Sequence, residues 1–163
     1  MDMVRVEELN RREMDYLLSI FINSKSKGYA RNSEIVRELG VSKATASLMV
    51  KKLAEKNLVT ASRRGVYLTE RGRRIVREIL WRHGTIEAAL SKLGVPIREA
   101  CKITWEIQLI LPEEAVRVIW QALGAPRVCP LGVRFPRKGE ESPVEEYDVC
   151  GFNLVCSSRN PKR

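Results

Sequence analysis

Residues 27–59, KGYARNSEIVRELGVSKATASLMVKKLAEKNLV, carry two apolar patterns of helical period separated by a four-residue turn. Asn32 and Ser33 offer caps for a first helix whose Ile35, Val36 and Leu39 fall on one face. Gly40 ends that helix, and Ser42 and Thr45 open a second. The buried stripe of the second helix is predicted as Ala46, Met49, Val50 and Leu53, with Lys43, Ser47 and Lys51 on the opposite side.

Working outward, Leu58-Val59-Thr60 reads as a strand, Ala61 to Gly65 as a tight turn bearing Arg63 and Arg64, and Val66-Tyr67-Leu68 as the returning strand. A helix pair followed by such a hairpin is a winged helix-turn-helix. The exposed stripe of the second helix is short, polar and cationic, which suits the major groove of double-stranded DNA. Ser42, Lys43, Thr45, Ser47 and Lys51 are the expected DNA-binding residues there, and Ser42 and Thr45 also serve as caps. Arg63 and Arg64 present guanidiniums suited to phosphates or a narrow minor groove. Upstream, a helix from about Val6 to Asn23 spaces Met14, Leu17, Leu18 and Phe21 for burial, and downstream Thr69-Glu70 caps a long helix over Arg71–Arg82.

Three further helices are predicted: Thr85–Leu93, Ile97–Ile110, and Pro112–Leu123 with proline at its first position and Gly124 after its end. Their apolar residues Ile86, Leu90, Leu93, Ile103, Ile107, Ile110, Val116, Ile119 and Trp120 exceed what a small helical appendix buries alone, so a homodimer through this region is expected. The remainder changes character: residues 125–163 hold five of the seven prolines and three of the four cysteines, with one short strand predicted around Tyr147 to Val155. The fold class is therefore mainly α with a small β wing. Residues 1–75 form the DNA-binding domain, 76–125 a helical dimerisation region, and 126–163 an irregular tail.

A net charge of +9 over 163 residues favours a polyanionic partner. A generally charged, thermally robust surface is the other reading of this charge, but Lys43, Lys51, Lys52, Arg63 and Arg64 sit on the groove helix and the wing, where a DNA reader needs them. No apolar run approaches the about 18 residues needed to span a bilayer, so a membrane is not an expected partner. MDMVRVEELNRREMDY has no apolar core of a secretory signal, and a cytoplasmic location is expected. Without a glycine-rich phosphate loop, a nucleophile elbow or a second histidine, a Ser-His-Asp or two-histidine metal mechanism has no material, and no enzyme is expected. A winged-helix adaptor for protein contacts is the other class, but it does not need a basic recognition face.

The run from Lys27 to Leu53, the wing, Thr69-Glu70-Arg71-Gly72, RHGTIEAALSKLGV at 82–95 and CPLGVRFP at 129–136 together resemble the metal-dependent repressors of the DtxR/MntR type, over about residues 9–136. The resemblance implies a homodimeric transcription regulator whose DNA binding responds to a divalent metal: iron, manganese or zinc. It places Asp15, His83, Glu87 and Cys101 at ligand positions; His83 and Glu87 share a helical face by their i, i+4 spacing. Taken alone, His83 near a helix C-terminus also suits a cation offsetting the macrodipole, and Cys101 suits a small buried hydrophobe. The chain departs from the family where Thr104 and Trp105 replace a Glu-His pair, Leu18 a glutamate and Ile97 a histidine. Glu106, about 500° around the helix from Cys101, points away from it. A weakened metal site follows, with a metal-independent or redox-responsive regulator as the alternative. Cys129, Cys150 and Cys156 lack the paired spacing of a zinc ribbon, and a Cys129–Cys150 or Cys150–Cys156 disulfide is set against free thiols.

Overall fold

The computed structural model describes residues 5–150. The chain divides into two compact units, residues 1–76 and 77–163. In the first unit a 3₁₀ turn, Val6–Glu8, precedes helix α1, Arg11–Ser24. Periodicity alone starts this helix at Val6. The difference lies at Asn10, which accepts from the Glu13 N–H at 2.8 Å while Glu13 accepts from the Asn10 N–H, a capping box that starts the helix at Arg11.

Helix α2, Asn32–Leu39, and helix α3, Lys43–Glu55, follow. Arg31, not Asn32 or Ser33, occupies the N-cap of α2, because the Glu34 carboxylate folds back on the Arg31 N–H at 2.8 Å and satisfies that end. Gly40 closes α2 in the left-handed conformation, φ 63°, and its N–H donates to Val36 O. Ser42 caps α3 through its hydroxyl, which accepts from Thr45 N–H at 3.0 Å. Met14, Leu17, Leu18, Phe21, Ile35, Ala46, Met49, Val50 and Leu53 are all buried, as the periodicity of the three helices requires. Glu38 ties α1 to α2, accepting from Ser19 Oγ at 2.5 Å and Asn23 Nδ2 at 2.8 Å.

The wing is an antiparallel pair, β1 (Val59–Ala61) and β2 (Val66–Leu68), in register Val59 to Leu68. Ala30 bridges to Val66 with two backbone hydrogen bonds of 2.8 Å, anchoring the wing's base. A Cβ on Gly65 would lie 2.4 Å from Ala30 O, so glycine is what admits this approach.

Helix α4 runs unbroken from Glu70 to Lys92 with Thr69 at its start, where the sequence predicts two helices parted at His83-Gly84. Gly84 does not stop the helix. The Phe135 ring lies so close that a Cβ at 84 would meet it at 2.1 Å, and the glycine provides that space. In the second unit α5 (Ile97–Ile107) and α6 (Glu113–Ala122) pack with α4 around Trp81, Ile86, Val116, Trp120, Cys129 and Phe135. The tail segment therefore contributes to the core of the helical region instead of standing apart. It forms a tight loop at Val128–Arg134 and a 3₁₀ turn at Val144–Glu146. Among the described residues 147–150 take no strand, and the rest of the predicted strand lies outside the described residues. Ile86, Val116 and Trp120, expected at a dimer surface, are buried within this unit, whereas Leu93, Ile103 and Ile110 are exposed.

Candidate nucleic-acid interface and metal centre

On α3 the side chains of Ser42, Lys43, Ser47 and Lys51 are exposed and Thr45 is half-buried, while the opposite face fills the core. Ser42 Oγ donates to Thr45 Oγ1 at 2.8 Å besides accepting its N–H, so these two hydroxyls are committed first to the helix end. Ser47 Oγ accepts from Asn32 Nδ2 at 3.4 Å, a long contact that leaves its own proton to donate. At the wing tip Ser62 N–H donates to Gly65 O, and Arg63 and Arg64 between them are exposed. The arrangement offers a polar, cationic helix face and a guanidinium-bearing loop within one unit, the combination that positions a protein on phosphates while side chains reach base edges.

The second unit gathers His83, Glu87, Cys101 and Cys150, all buried, with one ligand atom from each lying within 4.8 Å of the others. Helix α4 sets His83 and Glu87 on one face, α5 brings Cys101, and the tail brings Cys150. Cys101 Sγ is 3.6 Å from His83 Nε2 and 3.7 Å from Cys150 Sγ. His83 Nδ1 lies 3.0 Å from Gln108 Oε1, so with the amide oxygen as acceptor Nδ1 donates and fixes the ring, leaving Nε2 to face the cluster. Trp105 stacks on the imidazole with ring centroids 3.9 Å apart, becoming a wall where the family resemblance places a ligand. Thr104 spends its hydroxyl on Ala100 O at 2.7 Å, and Glu106 is exposed.

Glu87 Oε2 comes to 2.8 Å from His83 Nε2, an ion pair when the imidazole is protonated, and neither oxygen of this fully buried carboxylate makes a well-formed hydrogen bond. A buried carboxylate costs several kcal/mol unless a cation joins it, and the protonated imidazole or a metal ion would meet that need. Burial opposes protonation of His83, yet the Cys150 sulfur and the Glu87 carboxylate outweigh it and hold the imidazole above its usual value. The neighbouring Cys150, burial and the Glu87 charge together push the Cys129 thiol well up, which keeps it neutral. Two sulfurs, an imidazole nitrogen and a buried carboxylate are a donor set that fits a divalent metal.

Asp15 belongs to the first unit, where its carboxylate pairs with Arg11 at 3.3 Å; the cluster is built from the second unit alone. Sequence reasoning missed Cys150 and Gln108, since the cysteine lies in irregular chain with no spacing to tie it to α4. Cys129 and Cys150 are free thiols, not a disulfide; a pairing with Cys156 lies outside the described residues.

Residues 8–66 match the family model described as the iron-dependent repressor N-terminal DNA-binding domain, and residues 69–137 the model for its metal-binding and dimerisation domain. An HTH-type transcriptional regulator of Aeropyrum pernix, uncharacterised by its name, is 34% identical over 73% of this chain and 68% of its own length. The HTH-type transcriptional regulator MntR of Geobacillus kaustophilus is 39% identical over half of this chain, which spans 58% of that relative. The crystal structure of a hypothetical protein from Sulfolobus solfataricus superposes with a TM-score of 0.73 at 31% identity, covering 79% of this chain and all of that one. With both halves of the family pattern matched in order and the fold shared, the chain belongs to the iron-dependent repressor family, the DtxR/MntR type of DNA-binding regulator.

Proposed function

We infer that the chain is a homodimeric transcriptional repressor, not an enzyme, which reads double-stranded DNA through α3 and the wing and takes its signal from a divalent metal held by His83, Glu87 and Cys101. The exposed cationic face of α3 beside an arginine-bearing wing carries this reading. Lys43, Ser47 and Lys51 contact the major groove, Ser42 and Thr45 fix the helix end, and Arg63 and Arg64 hold the flanking backbone or minor groove. When bound, the metal supplies positive charge that neutralises the buried Glu87 and fixes the arrangement of α4 and α5; Gln108 and Trp105 orient the imidazole for it.

Binding of duplex DNA, measured by mobility shift with chelator and with added iron, manganese or zinc, tests this. Chelation should weaken the complex and metal restore it. Lys43→Ala with Ser47→Ala should change the preference among sequences. Arg63→Ala with Arg64→Ala should weaken all sequences alike and reduce the salt dependence by about one unit of slope for each phosphate no longer neutralised. DNA binding indifferent to chelator but lost on thiol oxidation would favour the redox-responsive reading instead, for which the approach of Cys101 to Cys150 is the specific observation. Asp15→Ala, followed in the same assay, tests the carboxylate that the family resemblance adds from α1.

A further inference from the structure

We propose that Cys150, contributed by the tail beyond the family's matched region, is the fourth ligand of the metal, and that the resulting pair of thiolates makes the site selective for a thiophilic tetrahedral ion, zinc or ferrous iron, over manganese. The proposal rests on the metal reading above and deepens it. The metal-binding family match ends at residue 137, so nothing in it assigns a role to position 150.

Geometry carries the argument. Tetrahedral bonds to zinc of about 2.3 Å from sulfur and about 2.05 Å from nitrogen place two ligand sulfurs about 3.8 Å apart and a sulfur and a nitrogen about 3.6 Å apart. The cluster has Cys101 Sγ to Cys150 Sγ at 3.7 Å and Cys101 Sγ to His83 Nε2 at 3.6 Å. The rest of the cluster fits less closely: Glu87 Oε2 stands 2.8 Å from His83 Nε2, against about 3.3 Å for such an ion, and the four ligand atoms as a set lie within 4.8 Å of one another, so the carboxylate has to shift for an ion to be gripped. It can move once the ion replaces the imidazole proton, because no hydrogen bond otherwise holds its oxygens.

Ligand chemistry sets the choice of ion. The Glu-His pair that the DtxR/MntR resemblance leads one to expect on α5 is replaced by Thr104 and Trp105, whose side chains are committed to a backbone carbonyl and to the imidazole. What remains is two sulfurs, one nitrogen and one oxygen donor. Manganese prefers more ligands and mainly oxygen, whereas a compact site with two thiolates suits zinc or ferrous iron. Deprotonation of both thiols accompanies binding, so the ion displaces protons from the cluster.

The test uses the full chain, reduced and stripped of metal, loaded with Co²⁺ as a spectroscopic probe and then challenged with Zn²⁺ and Mn²⁺. The wild type should show the strong visible bands of tetrahedral cobalt and a near-ultraviolet thiolate-to-cobalt charge-transfer band. Cys150→Ser should lose about half of that band and weaken zinc binding by on the order of 100-fold, at least as much as outer-sphere changes cost. Zinc should displace the cobalt at stoichiometric concentration and manganese should not. Protection from maleimide labelling, read by mass spectrometry on the wild type, is independent of how the variant folds: zinc should shield Cys101 and Cys150. Metal binding that is lost in His83→Ala but keeps its full charge-transfer band in Cys150→Ser would overturn the proposal while leaving the metal reading intact. So would loss of the band on Cys129→Ser instead. Equal displacement by manganese would overturn the selectivity, and no cobalt or zinc uptake by the wild type would overturn the metal reading with it.

Discussion

Arg82 is fully buried, and its guanidinium serves three acceptors: Nε donates to Glu78 Oε1 at 3.0 Å, and Nη1 to the carbonyls of Gln108 and Leu111 at 2.9 and 2.5 Å. These carbonyls lie just past the end of α5, so Arg82 both neutralises a carboxylate and caps a helix. Burial, opposed by Arg82, already holds the Glu78 carboxyl above its ordinary value. Arg82→Ala should cost about 3–5 kcal/mol in chemical denaturation, because it strands a buried partner, and Arg82→Lys should recover little since a single ammonium cannot reproduce the fork. Glu140 behaves in the opposite direction. It accepts from Arg137 N–H and from the Tyr147 hydroxyl, and these with Arg127 hold its carboxyl down at about 2. A lowered carboxyl contributes stability that is complete above the ordinary value of 4.5 and is lost as pH falls towards about 2. Glu140→Gln should show a flatter acid profile across that window, less stable than the wild type at neutral pH and converging on it as pH falls towards about 2. At this scale His83, Glu87 and Cys101 are legible in the sequence because helical spacing and the family motif fix them. Cys150 is not, since no periodicity reports where irregular chain returns.

Helices and wing are the most legible part of the sequence, because each helix of the first unit has a clean apolar stripe, although the starts of α1 and α2 are set by Glu13 and Glu34 folding back on the chain. The sequence misleads at Gly84, where a residue that usually weakens a helix reads as its end. Tertiary packing decides that position: the Phe135 ring occupies the space a side chain would need. Two effects compete in Gly84→Ala. Helix propensity favours alanine by about 1 kcal/mol, whereas a new Cβ at 2.1 Å from Phe135 Cδ1 overpacks the core at a cost of about 1–3 kcal/mol. A clash with a ring rather than a flexible chain end should win, so thermal unfolding of Gly84→Ala should occur at lower temperature than that of the wild type. Adding Phe135→Leu should restore part of the loss; a Gly84→Ala protein more stable than wild type would show that the loop gives way freely.

For the molecule as a whole, a net charge of +9 predicts strong dependence of DNA affinity on salt, and the dimerisation domain of the family predicts a two-fold dimer. Part of the apolar set that reads from sequence as a dimer surface fills the second unit's own core, a distinction invisible to periodicity, which marks a buried face without saying what covers it. Leu93 is 82% and Ile110 76% exposed, and the Ile103 side chain also faces solvent. Sedimentation at micromolar concentration should give a dimer for the wild type and a monomer for Leu93→Glu with Ile110→Glu; a monomeric wild type would refute the expectation. The closeness of Cys101 and Cys150 has a consequence of another kind. They stand 49 positions apart in the chain, and an ion gripped by both sulfurs is a cross-link: closing a loop of that length withdraws unfolded-chain entropy worth about 4 kcal/mol at 25 °C. The second unit would then hold together in proportion to the free ion around it, and a cell starved of that ion would leave that unit the more open to its proteases.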